Sequence, residues 1–503
     1  MYNLLDFAPA ITQADFYKTG HHIQYPDNTK TVVTNLTPRM TRIGEINEVT
    51  LFGPQMYIKK WLMGQWEEFF KLDDTSIDTY EAEVRLGLND MNYSADHFRA
   101  LKKLGYLPLE IRALPEGSQV PIRIPCLTIH NTHDDFYWLP NFLETQMSAE
   151  IWLPCTSASI ALQYRKVFEK YCEATGGIRE LVPGQVMEMS DLQGHDFSMR
   201  GMGSVWDACK SGAAHLLSFL GTDTIPAILY LRSLYGGVGY IGGSVPATEH
   251  SVMQSGGTDL ATIDRLLDLY PTGILSVVCD TWDFWNVVTV ILPQLKDKIM
   301  AREGTLVIRP DSGDPADIIC GTPKGECEAS RKGLIECLWD TFGGTTNDKG
   351  FQQLDSHIGA IYGDSITLER QTDILERLMQ KMFASTNIVL GIGSFTYQYV
   401  TRDTFGFALK ATWAAIGDRH VPLFKKPKTD DGTKNSAKGL VFVEENNGVF
   451  TLHEDVSWER FISSNNALEL IYRDGKLFVD HTLDEIKARM KDAIARSTGS
   501  LPV

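Results

Sequence analysis

The amino-acid sequence predicts an α/β fold, an irregular TIM-like α/β barrel accompanied by a second, α+β domain. Short apolar runs alternate with amphipathic stretches through the middle of the chain, and three runs end in polar turns, within 304–315, 358–369 and 387–395. Strands that alternate with helices favour parallel pairing in one sheet. In such a barrel, ligands bind at the loops that follow the carboxyl ends of the strands. The Gly/Asp/Ser turns are therefore the expected place of the chemistry.

The predicted barrel covers residues 151–395. Its strands, each a short run of mainly aliphatic residues, are expected at 186–190, 274–279, 305–308, 358–362 and 388–390. Its helices, which carry a helical period of apolar residues, are expected at 204–220, 259–270, 284–302, 330–342 and 366–382. Each crossover between parallel strands is expected to be right-handed.

The second domain is expected to combine residues 1–150 with residues 396–503 from the other end of the chain. The elements predicted for this domain are strands at 30–36 and 121–130, helices at 56–71 and 95–104, a hairpin turn at 446–448 and a last helix at 483–495. A further helix, at 157–174, is predicted to lead into the strand–helix alternation of the barrel. The pattern is irregular from Phe405 onward, and residues 425–438 form a loop rich in lysine, glycine and aspartate.

Composition argues against several classes of function. The net charge of −17 disfavours a general affinity for nucleic acid or for an anionic membrane, so any phosphate site must depend on a few focused Arg and Lys side chains. The apolar runs are too short to span a bilayer, and the first residues lack the basic region of an export signal. Eight cysteines without a CxxC pair indicate reduced thiols and a cytoplasmic protein.

Two segments offer groups that suit a flat, polar ligand. The segment HDFSMRG (195–201) places Phe197 and Arg200 directly after a predicted strand, as an aromatic platform beside a phosphate-binding cation. A buried aromatic ring with a satisfied ion pair explains the same residues equally well. Asp223 in GTDT (221–224) can accept an amide N–H and repels a carboxylate, although a glycine cap and polar turn are also common where a helix ends.

Candidate catalytic groups lie in the next segments. Glu249 and His250 are adjacent in SVPATEHS (244–251), and His250 suits proton or phosphoryl transfer near neutral pH. Asp280 ends a predicted strand and could orient that histidine through one ring nitrogen. In IRPDSGDP (308–315), Asp311 could accept two vicinal ribose hydroxyls while Arg309 faces a phosphate or a ring. A plain Asp-Ser-Gly turn is the structural alternative.

Two glycine turns indicate phosphate binding. Gly363 with Asp364, and Gly393 with Ser394, are each expected to open a helix, where backbone N–H groups form an anion cradle. A single GxG is weak evidence, but two such turns on consecutive strand–helix units, followed by Arg402, make a stronger signal. A phosphorylated sugar is therefore the expected ligand class.

Taken together and in this order, the motifs resemble those of the nicotinamide phosphoribosyltransferases, within the nicotinate/nicotinamide phosphoribosyltransferase family. The resemblance extends over nearly the whole chain except its C-terminal end. Besides the segments above, it rests on DFYK at 15–18, His21, QYP at 24–26, PEG at 115–117, TRD at 401–403, Lys410, Lys425 and Lys434. One departure is that Ile392, Ser394 and Phe395 replace small residues of the family's phosphate loop, which implies a somewhat altered affinity.

The resemblance implies a type II phosphoribosyltransferase barrel in a homodimer with active sites at the dimer interface. It implies synthesis of nicotinamide mononucleotide and pyrophosphate from nicotinamide and phosphoribosyl pyrophosphate in NAD salvage. Mg²⁺ is expected to arrive with the substrate pyrophosphate, so no protein ligands are assigned to it. ATP hydrolysis is expected to be coupled through phosphorylation of His250, and no strong general base is required.

The site residues implied by the resemblance fall into three groups. The pyridine ring is expected between Phe197 and Tyr17 of the partner subunit, with Asp223, Ser244, Ser276 and Asp15 nearby. The ribose and its 5′-phosphate are expected at Arg200, Arg309, Asp311, Gly363, Asp364, Gly393 and Ser394, near Glu249, His250 and Asp280. Pyrophosphate or ATP phosphates are expected at Arg402, Arg39, Lys410, Lys425 and Lys434.

Three alternatives remain open. Nicotinate phosphoribosyltransferase is opposed by Asp223, because two facing carboxylates repel each other. A non-catalytic interaction protein could share the same scaffold, since a fold does not define a function, but the set of arginines, carboxylates and His250 argues against it. Another barrel enzyme acting on a phosphosugar explains the loops but not Tyr17 or the lysines that follow Arg402.

Overall fold

The computed structural model describes residues 10–44, 46–176, 189–363, 365–425 and 436–498. Its strands are β1 Thr29–Thr37, β2 Glu48–Thr50, β3 Leu109–Ala113, β4 Gln119–Pro121, β5 Leu127–Asn131, β6 Gly194–Asp196, β7 Gly221–Thr222, β8 Leu275–Val278, β9 Leu306–Arg309, β10 Gly344–Thr346, β11 Gln352–Leu354, β12 Ile358–Tyr362, β13 Ile388–Ile392, β14 Ala408–Ile416, β15 Arg419–Pro422, β16 Phe442–Asn446, β17 Val449–His453, β18 Glu469–Arg473 and β19 Lys476–Leu477.

The α-helices are α1 His21–Gln24, α2 Pro54–Tyr57, α3 Trp66–Lys71, α4 Asp74–Leu88, α5 Asp96–Leu104, α6 Leu139–Phe142, α7 Glu144–Thr175, α8 Ser190–Gln193, α9 Val205–His215, α10 Ile225–Tyr235, α11 His250–Ser255, α12 Asp259–Leu269, α13 Phe284–Asn286, α14 Leu292–Met300, α15 Pro315–Cys320, α16 Glu328–Lys332, α17 Leu334–Phe342, α18 Leu368–Gln380, α19 Ser394–Tyr397, α20 Trp458–Phe461 and α21 Leu483–Thr498. Within the described ranges, no helix combines the length and the hydropathy needed to cross a membrane.

The chain forms two compact units. The sheet unit comprises Met1–Ser159, Arg232–Gly237 and Val400–Arg489, and the barrel unit comprises Ile160–Leu231, Val238–Tyr399 and Met490–Val503. These ranges differ from the predicted domains at 1–150, 151–395 and 396–503, because helix α7 runs unbroken through the predicted first boundary. In addition, the short segment 232–237 belongs to the sheet unit although it lies within the predicted barrel range. The C-terminal residues from 490 belong to the barrel unit although they were predicted in the second domain.

The barrel unit is built on a six-stranded parallel sheet in the order β7-β6-β13-β12-β9-β8. An isolated parallel bridge joins Gly221 of β7 to Gly243, and a second joins Ala247 to Ser276 of β8. The segment between Gly243 and Ala247 therefore links the two edge strands of the sheet. This arrangement brings the carboxyl ends of all six strands, and the polar turns after them, to one end of the barrel.

Four of the five predicted barrel strands are present as β8, β9, β12 and β13. The prediction at 186–190 was wrong in its described part: Ser190 begins helix α8, and residues 186–188 lie outside the described residues. The strand at this position in the sheet is β6, Gly194–Asp196. Its sequence is polar, but it is fully buried, so hydrophobicity gives no sign of it.

The sheet unit contains a seven-stranded sheet in the order β15-β14-β1-β5-β3-β18-β19. Neighbouring strands pair antiparallel throughout it, and β1 lies between β14 and β5. The prediction of irregular structure from Phe405 was wrong for 408–422, which forms β14 and β15. Polar residues such as Lys410 interrupt the apolar pattern of β14, and a register shift in its pairing with β1 breaks the alternation further.

A pair of stacked histidines in the sheet unit predicts sensitivity to acid. The rings of His22 and His97 lie 3.8 Å apart between centroids, and burial together with the charge of His22 lowers the pKa of His97 to about 2. Since this folded-state pKa lies below the ordinary 6.5, stability is complete above pH 6.5 and falls as the pH drops through that value. The loss is expected to approach about 1.4 kcal/mol per pH unit.

Replacing His97 by Phe tests this expectation by urea unfolding at pH 7.5 and pH 5.5. The Nδ1 atom of His97 is buried without a hydrogen-bond partner in the described structure, so an aromatic ring without nitrogen can fill the same place. The variant is expected to lose less stability than the unmodified protein between the two pH values. Equal losses in both proteins would assign the acid sensitivity to other groups.

Candidate active site

An aromatic ring lies at the carboxyl end of β6, as the motif HDFSMRG predicts. The N–H of Phe197 donates to Ile392 O at 3.0 Å, which fixes the residue against the end of β13. A side-chain carbon added at Gly391 would lie 2.6 Å from Phe197 Cδ2 and 2.8 Å from Gly363 Cα. The glycine of β13 therefore provides the space that the ring occupies, and three strand ends meet around Phe197.

A buried carboxylate holds the loops after β6 and β7 together. Asp196, which is fully buried, accepts hydrogen bonds from Ser198, Thr222 and Thr224 at 2.6–3.0 Å. These bonds fix the backbone on both sides of Asp223. The sequence predicted no structural role for Asp196. The GTDT segment is also not the helix end considered above, because α9 ends at His215 and Gly221 lies in β7.

Asp223 is held ionised at the end of β7. Its Oδ1 lies 3.1 Å from His195 Nε2. Burial raises the pKa of Asp223, but hydrogen bonds from His195 and Ser244 and the charge of Arg309 outweigh burial, so its pKa is lowered. The side chain remains 44% exposed and can accept a further hydrogen bond. Sequence reasoning named Asp223 and Ser244 but missed His195 as the partner.

Arg309 projects from the end of β9 with part of its guanidinium unsatisfied. Its Nη2 donates to Thr248 O at 3.0 Å, whereas its buried Nε has no hydrogen-bond partner among the described residues. Thr248 is fixed in turn, because its N–H donates to Ser276 O at 3.0 Å. The arginine is thus anchored at one end and offers a donor to an anionic ligand.

Asp280 links the ends of β8 and β9. Its Oδ2 accepts the N–H of Asp311 at 3.0 Å and the hydroxyl of Ser312 at 2.6 Å. Its Oδ1 is buried without a partner in the described structure and lies 4.0 Å from His250 Nε2. That distance exceeds a hydrogen bond. The group that orients the imidazole is Thr281, whose hydroxyl lies 3.0 Å from His250 Nδ1.

Glu249, the predicted neighbour of His250, makes its described side-chain contact within its own segment. It precedes helix α11, is exposed, and accepts the hydroxyl of Ser251. His250 begins α11, and its side chain is 45% exposed. The histidine is therefore open to a ligand, whereas Glu249 has its described contact on its own helix.

A cavity of about 390 Å³ extends between the strands of the barrel from this cluster. Its lining includes His195, Phe197, Tyr240, Ser276 and Arg309. Val307, Ile361 and Val389 make a large part of the remaining wall apolar. A volume of this size and a mixed lining suit a small planar heterocycle. Among the lining residues, Tyr240 carried no sequence signal, because its segment is rich in glycine.

The two glycine turns differ from each other. Ser394 begins α19 directly after Gly393, as predicted, but α18 begins only at Leu368, so Gly363 does not open a helix. A side-chain carbon at Gly363 would lie 3.0 Å from Asp311 Oδ1, which brings that turn beside the proposed ribose carboxylate. Asp364 lies outside the described residues.

The phosphate-loop serine lies beside the segment of the predicted cation. A side-chain carbon at Gly201 would lie 2.1 Å from Ser394 Oγ, so this glycine allows the loop after β6 to approach the loop after β13. Arg200 precedes that glycine in a short 3₁₀ turn and is exposed. Arg200 and Ser394 therefore both lie where the loop after β6 approaches the loop after β13.

The sheet unit carries its own group of predicted residues. The hydroxyl of Tyr17 lies 3.4 Å from Asp15 Oδ2, and the ring is 63% exposed. Burial, Asp15 and Glu144 raise the pKa of Tyr17, and the charge of Arg402 opposes them. Lys410 Nζ lies 3.3 Å from Glu144 Oε1. Tyr17 and Lys410 therefore lie near the same glutamate, and Asp15 and Arg402 lie near Tyr17.

A second cavity of about 320 Å³ lies in the sheet unit. Arg39 and Lys410 both line it, as does Arg123, which sequence reasoning did not single out. The lining residue Ser436 also exchanges hydrogen bonds with the backbone of Lys425 at 2.8 and 3.2 Å. Lys434 lies outside the described residues.

The fold and the strand-end site define the class of α/β-barrel enzymes that bind ligands at the carboxyl ends of their strands. Residues 192–460 match the nicotinate phosphoribosyltransferase (NAPRTase) family, and residues 10–85 match the nicotinamide phosphoribosyltransferase N-terminal domain. The chain belongs to the NAPRTase family and is a phosphoribosyltransferase, an enzyme of the glycosyltransferase type. The family predicted from the order of the motifs is confirmed.

Relatives of known name support this assignment. The chain is 45% identical over 493 residues to a nicotinamide phosphoribosyltransferase of Acinetobacter baylyi. The alignment covers 95% of this chain and 96% of the relative. The chain is 35% identical over 445 residues to one of Mycoplasma pneumoniae, with 84% and 93% covered. Both alignments extend over both structural units.

Solved structures confirm the fold class. Nicotinate-nucleotide pyrophosphorylase from Pyrococcus furiosus superimposes with a TM-score of 0.57 at 14% identity, covering 98% of this chain and 97% of that one. Human nicotinic acid phosphoribosyltransferase gives a TM-score of 0.56 at 14% identity, with 96% and 94% covered. At this identity the likeness concerns the fold alone.

Proposed function

We propose that the protein is a nicotinamide phosphoribosyltransferase, which makes nicotinamide mononucleotide and pyrophosphate from nicotinamide and phosphoribosyl pyrophosphate in NAD salvage. The observation that carries the choice of base is the ionised Asp223 beside the barrel cavity. A carboxylate accepts the N–H groups of a carboxamide and repels the carboxylate of nicotinate.

The reaction exchanges one bond at the anomeric carbon. The lone pair of the ring nitrogen forms the new C–N bond, the C–O bond to pyrophosphate breaks, and its electron pair leaves with pyrophosphate. The ring nitrogen of nicotinamide is unprotonated at neutral pH, so no proton has to be removed. The protein's contribution is to align the ring with the sugar and to stabilise the charge that develops.

The side chains at the strand ends each have a part in that alignment. Phe197 supplies a flat surface for the pyridine ring at the cavity, and Asp223 fixes the carboxamide. Asp311 accepts the ribose hydroxyls, while the unsatisfied Nε of Arg309 donates to phosphate. The turns at Gly363 and Gly393 leave space for the 5′-phosphate.

The sheet-unit residues are proposed to complete the site of a second copy in a homodimer. In that arrangement, Tyr17 of the partner subunit stacks on the pyridine ring. Exposure of 63% for the Tyr17 ring supports this role, because the ring is available to a ligand. Pyrophosphate or ATP phosphates then meet Arg39, Arg402, Lys410 and the lysines at 425 and 434.

Magnesium and ATP complete the proposal. The described residues contain no group of three or more His, Cys, Asp or Glu side chains placed to hold a metal ion. Mg²⁺ would be held mainly by oxygens of the substrate, beside Asp311 and beside Asp280, whose Oδ1 has no hydrogen-bond partner among the described residues. When bound there, Mg²⁺ would neutralise charge on the departing pyrophosphate. One ring nitrogen of His250 forms an N–P bond to the γ-phosphorus of ATP as the P–O bond to ADP breaks, and water later hydrolyses the phosphohistidine. The 45% exposure of the His250 side chain supports that role.

The test is product formation from phosphoribosyl pyrophosphate and Mg²⁺ with nicotinamide or nicotinate, each with and without ATP. Mononucleotide formed preferentially from nicotinamide and stimulated by ATP is the expected result. Preferential use of nicotinate would overturn the argument from Asp223, and no product from either base would overturn the proposed activity.

A further inference from the structure

We propose that Arg123 binds a diphosphate group in the cavity of the sheet unit. This inference rests on the proposed function, in which Arg39 and Lys410 of the same cavity meet pyrophosphate or ATP phosphates. Arg123 adds a third cation to that pair. The ligand chemistry, a diphosphate, is common to phosphoribosyl pyrophosphate, free pyrophosphate and ATP.

The cavity is built on one face of the β1–β14 pair. Asn35 lies opposite Lys410 and Thr37 lies opposite Ala408, so the four side chains share that face. The Thr37 hydroxyl donates to Asn35 Oδ1 at 2.8 Å, which fixes the polar floor. Rigid strands therefore set the position of Lys410.

Arg123 is tied to the segment that carries the second cation. Its N–H donates to Pro38 O at 2.6 Å, and Pro38 directly precedes Arg39. The N–H of Arg39 in turn donates to Phe405 O at 3.0 Å, three residues after Arg402. The backbone thus links the segments of three arginines, as a site for a multiply charged anion requires.

The charges around the cavity leave Arg123 available. Lys410 has Glu144 as a partner, and Arg39 Nε donates to Gly406 O at 3.1 Å. Among the described residues, the guanidinium of Arg123 has neither a hydrogen bond nor an ion pair, and its side chain is exposed. Glu454 is the acidic side chain in the lining, and it accepts the N–H of Lys438 at 2.9 Å.

The backbone of Arg123 gives an independent argument. Its φ of 76° lies in the left-handed region, in a turn closed by the Ile124 N–H bond to Pro121 O at 3.1 Å. A residue with a side chain is strained there, whereas glycine is not. No described contact of the arginine side chain offsets this strain in the free protein. A hydrogen bond from the guanidinium to a bound anion would offset this strain in the complex.

Replacing Arg123 by Gly separates binding from stability. The variant is expected to unfold at the same or a higher temperature, because the strain is removed. Titration calorimetry with inorganic pyrophosphate, phosphoribosyl pyrophosphate and ATP in turn is expected to show affinity lowered about tenfold to hundredfold for at least one of them. Arg123→Lys is expected to restore part of it, and Arg419→Gln, an exposed arginine of β15 outside the cavity lining, serves as the matched control.

The three ligands distinguish the source of the diphosphate. Weaker binding of phosphoribosyl pyrophosphate and pyrophosphate assigns Arg123 to the transferred substrate, and weaker binding of ATP alone assigns it to the coupled nucleotide. Unchanged affinity for all three in the glycine variant overturns the inference. If the protein makes no mononucleotide but still loses pyrophosphate affinity with Arg123→Gly, the proposed function fails while this inference stands.

Discussion

Replacing Asp311 by Ala is expected to lower kcat/KM for phosphoribosyl pyrophosphate by about 10²- to 10³-fold, because two hydrogen bonds from ribose hydroxyls to a carboxylate are lost. Asp311 is fixed for this role through its N–H bond to Asp280, and its Oδ1 faces the glycine turn after β12. Steady-state kinetics with varied phosphoribosyl pyrophosphate, with and without ATP, measure the change.

The His250→Ala variant provides the comparison. Thr281 holds the His250 ring, and Nε2 lies beyond hydrogen-bond distance of Asp280, so the imidazole is not part of the ribose-binding network. Its removal is expected to eliminate stimulation by ATP and to reduce ATP-independent synthesis far less than Asp311→Ala does. Equal loss of ATP-independent synthesis in the two variants would contradict the division of roles between energy coupling and sugar binding.

Replacing Asp223 by Ser is expected to shift the choice of base toward nicotinate. Nicotinamide loses a charge-assisted hydrogen bond, which lowers its kcat/KM about tenfold to hundredfold. Nicotinate no longer meets a repelling carboxylate, and His195 and Arg309, the groups that stabilise Asp223, become available to its carboxylate. The ratio of kcat/KM for the two bases, measured with each base separately, reports the shift.

Asp223→Asn is the matched control, since it keeps the shape of the side chain and removes the charge. Its ratio is expected to lie between those of the unmodified protein and the serine variant. Circular dichroism and the unfolding temperature of each variant exclude loss of the fold as the cause. An unchanged preference for nicotinamide in both variants would show that another group selects the base.

The sequence predicted the barrel strands correctly where the strands consist of apolar residues. β8, β9, β12 and β13 are short runs of aliphatic residues that are largely buried in a parallel sheet, so their composition identifies them. β6 is buried but polar, because Asp196 satisfies hydroxyl and backbone donors from two neighbouring loops. Hydrophobicity cannot reveal a strand whose burial depends on such hydrogen bonds. The same limitation applies to β14, where Lys410 interrupts the apolar pattern and the pairing with β1 shifts its register.

For the candidate site, too, one part could be predicted from the sequence and another part depended on the tertiary structure. The sequence by itself determined the family, the order of the motifs and the types of side chain at the strand ends, because each motif is local. The partners of those side chains come from distant strands and were decided only by the tertiary structure. His195 pairs with Asp223, Thr281 holds His250, and Thr248 anchors Arg309. Likewise, Arg123 joins Arg39 only because its turn hydrogen-bonds to the residue before that arginine. Local pattern fixes which groups are present, and the pairing of strands far apart in the chain fixes which of them meet.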